Sequence, residues 1–165
     1  MKGDTLYPLN ILKDKYPEIY ASGIEKYKGR EQVMEWFIPN LNCFWNDVIH
    51  LTALHPKIVK EALVEAGYKG NYITRCYEID PSILTVENTI VYLYKSEPED
   101  GKFDPENFVE FKPKDIEQYA IIPQSTKEHY KRSIENGKMP LTFAWVPHIF
   151  FKGSVDVKDL NIVHD

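Results

Sequence analysis

Apolar residues recur at helical spacing near the start of the chain. Ile19, Tyr20, Gly23, Ile24 and Tyr27 follow Pro17, which suits a first helical turn, and Gly29 is a natural stop. Shorter helical turns are predicted over Asn10–Lys15 and Arg30–Trp36, so residues 1–38 form a helical, amphipathic cover. The pattern changes at Asp47–Ala53, whose continuous apolar and β-branched content predicts a strand. Pro56 then opens a helix with Ile58, Val59, Ala62, Leu63 and Ala66 on one stripe, closed by Gly67 in a left-handed cap. Strands are predicted at Tyr72–Ile79 and at Thr89–Tyr94, the latter apolar on both faces and so central in its sheet.

Glu97–Pro105 is a proline- and acid-rich loop, and Phe108–Phe111 pairs at an edge. The Ser125-Thr-Lys-Glu128 spacing predicts a capping box and a helix from Thr126 to Asn136, stopped by Gly137. Leu141–Phe151 is a long aromatic strand broken at Pro147, and Asn161–His164 is a final short strand after the Lys152-Gly153 turn. This order predicts an α+β fold: a single domain over 1–165, its helical region 1–38 lying on a mixed or antiparallel sheet within 39–165.

Composition narrows the function classes. A net charge of −5 argues against a broad electrostatic grip on nucleic acid, leaving Lys127, Lys131, Arg132 and Lys138 as a solvated helix face. Two cysteines are too few for a disulfide framework, no apolar run reaches the length of a membrane span, and the N-terminus lacks a signal-peptide pattern. A soluble, cytoplasmic protein that does not enter the membrane is the expectation. The eight glycines form no phosphate-binding array. Cys43, Asp47, His50 and His55 are metal-ligand types, but on a strand His50 aligns with Val48 and Thr52, so no metal site is assigned. Cys43 and Cys76 read as small buried hydrophobes rather than nucleophiles.

What remains is a polar set on apolar elements. His50 and Thr52 share one strand face, Arg75 and Tyr77 share another, and Trp145 and His148 flank the Pro147 break. If the faces meet beside the helix opening at Pro56, they form a pocket for an anionic small molecule, with Arg75 as a clamp on phosphate or carboxylate. His50, Thr52, Arg75, Tyr77 and Trp145 are then the ligand-binding residues, and His50 and His148 the candidate catalytic ones. Whether chemistry follows binding is open.

Ile49-His50-Leu51-Thr52, a glycine-closed helix and an aromatic strand resemble the opening of ADP-ribosyltransferase-like domains, which begin with a His-x-Thr strand. The resemblance implies a nucleotide site with NAD as cofactor or substrate, and Tyr77 or Tyr72 as the strand tyrosine of the second motif. The family's late-strand glutamate has no counterpart: Val146-Pro147-His148 stands there instead. A different class stays open beside it, a non-enzymatic module meeting a protein partner through exposed Trp36, Phe37, Phe44, Trp45, Trp145 and Phe150. A metal-assisted hydrolase built on the histidines is opposed by their spacing.

Overall fold

The computed structural model describes residues 3–70, 72 and 75–165. In chain order its main elements are β1 (Thr5–Leu6), α1 (Leu9–Lys15), α2 (Pro17–Ile24), β2 (Phe37–Ile38), β3 (Cys43–Phe44), β4 (Ile49–Leu51), α3 (Pro56–Glu65), β5 (Arg75–Tyr77), β6 (Thr89–Tyr92), β7 (Phe108–Glu110), α4 (Gln124–Glu135), β8 (His148–Phe151), β9 (Val155–Asp156) and β10 (Ile162–His164). Short 3-10 turns fill much of the rest. The fold is a single-domain α+β one.

The principal sheet is antiparallel, in the order β4-β8-β6-β7. β6 is interior, as its two-sided apolar sequence predicts, and β7 lies at the edge. The register sets His50 opposite Phe150, Ile90 opposite Phe150, and Tyr92 opposite His148. Because side chains alternate, His50, Phe150, His148 and Tyr92 share one face. Ile49, Ile149, Phe151 and Val91 point the other way, into a core with Phe111, Leu84 and Ile116. The first face meets an aromatic layer that includes Trp36, Trp45, Phe103 and Phe108. Both faces are therefore covered. A third cluster joins α3 to α4 through Val59, Leu63, Tyr130 and Val146.

Two-stranded ribbons flank this sheet. β1 pairs with β9, β2 with β3, and β5 with β10, the last in the register Tyr77–Ile162, Cys76–Val163 and Arg75–His164. The N-terminal region is mainly helical, as expected, with the short β1 near its start and β2 at its end. Neither α1 nor α2 buries a residue. They pack on each other, where a side chain at Gly23 would come within 2.6 Å of Leu9 Cδ1. α1 is tied to the turn before β4 by Asn10 Nδ2, which donates to Asp47 Oδ1 at 2.7 Å.

α3 begins at Pro56 and ends before Gly67, which takes φ +96°, a conformation that favours glycine. α4 differs from expectation at its start. Pro123 occupies the N-cap position, so Ser125 and Thr126 lie inside the helix and no capping box forms. The Thr126 hydroxyl, fully buried, donates instead to the Ala144 carbonyl at 3.0 Å. The predicted strand over 141–151 is a strand only from His148 onward; residues 142–145 form turns, with Trp145 at φ +64°. The predicted strand Tyr72–Ile79 is observed at Arg75–Tyr77, while Ile73 and Thr74 lie outside the described residues.

Candidate functional site

β4 is an edge strand, and beyond its C-terminal end a cleft of about 810 Å³ separates it from the β5–β10 ribbon. That volume falls within the range typical of small-molecule sites. The sheet side supplies His50, Leu51, Thr52, His148 and Ile149. The ribbon supplies Cys76, Tyr77 and Val163, and the far wall is closed by Phe111, Ile116 and Leu160. The start of α3, His55 and Pro56, opens onto the same space. Its first turn is already capped, because His55 Nδ1 accepts from the Lys57 amide at 3.2 Å.

The two histidines are side by side, their ring centroids 6.2 Å apart. His50 Nε2 lies 2.9 Å from the Trp45 carbonyl oxygen. A carbonyl only accepts, so Nε2 carries the proton and the neutral ring keeps Nδ1 as an acceptor. The Trp45 ring also rests against that imidazole, 4.4 Å between centroids. Trp45 is held in turn by a short relay. Its Nε1–H donates to the Tyr27 hydroxyl at 3.2 Å, which donates to Asn46 Oδ1 at 2.7 Å, so the N-terminal region orients the first histidine through two hydrogen bonds.

His148 is 9% exposed and surrounded by rings: Tyr94 at 5.8 Å, Phe150 at 5.8 Å and Tyr92 at 6.4 Å. Among the described residues its imidazole has no hydrogen-bond partner. Burial pushes His50 down to about 4, with the Trp45 carbonyl opposing and Lys26 reinforcing the shift. Burial, and then the neighbouring His50, push His148 down to about 3. At neutral pH both rings are uncharged hydrogen-bonding groups, and among the described residues neither is paired with a carboxylate that would make it a strong base.

The structure brings together His50, Thr52, Tyr77 and His148 from the expected set, all on the cleft wall. It does not bring in the other two. Arg75 is exposed at the far end of the ribbon, opposite His164, because the cleft meets β5 at its Tyr77 end. The left-handed backbone of Trp145 turns its ring onto Tyr94, 5.0 Å away, rather than into the cleft. Sequence reasoning missed the walls contributed by Phe111, Ile116 and Leu160, which come from distant loops, and it missed four carboxylates, Glu78, Asp80, Glu117 and Asp159, around the cleft. Acid-rich turns at 78–80 and 156–159 were the available signal.

The expected aromatic patch is smaller than six residues. Phe150 is fully buried, and Trp36 and Trp45 pack in the aromatic layer. Phe37 and Phe44 are the exposed pair, 5.7 Å apart across the β2–β3 ribbon. Both thiols are pushed up by burial, Cys43 to about 11. Among the described residues no three His, Cys, Asp or Glu side chains are grouped to hold a metal ion, and no helix is long and apolar enough to cross a membrane.

Compared with known proteins, the chain matches no family model, no curated protein and no solved structure.

Proposed function

We propose that this chain is a ligand-binding domain whose cleft takes a small molecule with an apolar body and a polar group hydrogen-bonded to the histidine pair. One observation carries the reading: His148 is nine-tenths buried, has no hydrogen-bond partner among the described residues, and opens onto a cleft of about 810 Å³ with mostly aliphatic and aromatic walls. A ligand that hydrogen-bonds this imidazole would gain about 0.5–1.5 kcal/mol, the net worth of one such bond. The low basicity of both rings suits recognition better than proton abstraction at neutral pH.

The inward position of His50, Thr52 and Tyr77 is compatible with the ADP-ribosyltransferase-like reading. The charge around the cleft is not favourable to NAD or another nucleotide. Phosphates would face four carboxylates, and among the described residues no lysine or arginine lines the cleft to answer them.

The test uses 1-octanol as a probe that has an apolar body and one hydroxyl. Methyl NMR spectra should show saturable shifts of Leu51, Leu54 and Val163. His148→Phe, which keeps the ring size and removes the nitrogens, should weaken binding by about 2- to 10-fold, the equivalent of one net hydrogen bond. Unmoved cleft methyls at saturating octanol would refute the reading.

A further inference from the structure

The cleft is chemically two-sided. Its sheet side offers neutral acceptors, among them His50 Nδ1, since Nε2 is committed to the Trp45 carbonyl. Its rim carries Glu78, Asp80, Glu117 and Asp159, all exposed, with no lysine or arginine among the described lining residues. The fold gathers these carboxylates from separate segments. The Glu78 amide donates to the Asn161 carbonyl at 2.9 Å, and Asn161 Nδ2 donates to Glu78 Oε2 at 3.3 Å. Asp80 and Asp159 each lie two residues along the chain from this pair. Asp80 is held below the ordinary carboxylate range by the Ser82 backbone amide, which donates to it at 2.8 Å. None of the four is in an ion pair with a described residue, so the rim is a concentration of unneutralised negative charge. The unpartnered, nine-tenths buried ring of His148 is a separate sign that this space is built to receive a ligand.

We infer that the ligand is a cationic amphiphile, an ammonium or guanidinium compound whose N–H-rich head meets the Glu78–Asp80–Asp159 rim while its apolar body lies against Leu51 and Ile116. The inference rests on the proposed ligand-binding cleft and names the chemical class that the cleft takes. A head made of donors matches a site whose free polar groups are mainly acceptors, and each exposed carboxylate adds a modest Coulomb attraction that salt would screen.

Calorimetric titration of the full chain with octylammonium, 1-octanol and octanoate at low salt tests it. Octylammonium should bind at least about 5-fold more tightly than octanol, octanoate more weakly than either, and the advantage should shrink in salt. Glu78→Gln and Asp80→Asn, exposed isosteric changes, should each weaken octylammonium by about 1.5- to 5-fold and leave octanol unchanged. Equal binding of octanol and octylammonium, or tighter binding of octanoate, would overturn the cationic assignment while the cleft stands. Octylammonium binding that is indifferent to the rim variants would overturn it too. If none of the three probes binds, the cleft reading and this inference fall together.

Discussion

Acid should unfold this protein over a window set by two histidines. In the unfolded chain both imidazoles titrate near ~6.5. In the fold, burial lowers His50 to about 4 and His148 to about 3. Between those limits the unfolded state binds more protons, so stability falls as pH drops below 6.5 and levels off only once the folded rings protonate. From pH 7 to pH 5 the linkage relation gives a loss of roughly 2 kcal/mol per ring, about 4 kcal/mol for the pair. That is a large share of the ~5–15 kcal/mol typical of a domain. Most carboxylates stay ionised at pH 5, so this interval isolates the imidazoles. His129, also lowered by burial, adds in the same direction, and a His50→Gln/His148→Phe variant separates the pair from it. Urea unfolding at pH 7 and pH 5 measures the loss, and imidazole NMR locates the titrating rings. A change under about 1 kcal/mol in the parent protein, or ring resonances of His50 and His148 titrating near 6.5, would refute the reasoning.

Other consequences follow from named contacts. Tyr27→Phe leaves the buried Asn46 amide oxygen and the Trp45 indole without their partner, and should cost about 1–3 kcal/mol in urea unfolding while shifting tryptophan emission. Thr126→Val strips the hydroxyl that satisfies the Ala144 carbonyl, and should cost a similar ~1–3 kcal/mol with little change in helix content by circular dichroism. Cys76 lines the cleft with a thiol pushed up by burial, so iodoacetamide should alkylate it slowly at pH 7. Saturating octanol should slow that reaction further, as followed by mass spectrometry; an unchanged rate would place the probe elsewhere.

Much of the scaffold was legible in the sequence because local chemistry decides it. Pro17, Pro56 and Gly67 mark helix ends through fixed φ, a missing N–H and tolerance of positive φ, and the structure uses each in that role. The apolar content of Thr89–Tyr92 announced an interior strand. His50 and Thr52 could be put on one side of a strand by parity alone. What sequence could not supply is register. The cleft exists because residues 162–164 pair with 75–77, and that pairing brings Leu160 and Asp159 to a wall that starts at β4. Position along β5 separates the two: Tyr77 lies at the cleft end of the strand and Arg75 at the other. The run before His148 misled for a different reason: aromatic content reports burial, and Trp145 is partly buried in a left-handed turn. Ser125 and Thr126 misled because the capping spacing was met two residues too late, behind Pro123.

The most direct measurement is a crystal structure of the protein soaked with octylammonium. The expected result is density for the alkyl chain between β4 and the β5–β10 ribbon, with His148 hydrogen-bonded or in contact and the ammonium within reach of Glu78, Asp80 or Asp159. An empty cleft at saturating probe, or a probe bound only at another surface such as the exposed Phe37–Phe44 pair, would contradict the assignment of this site.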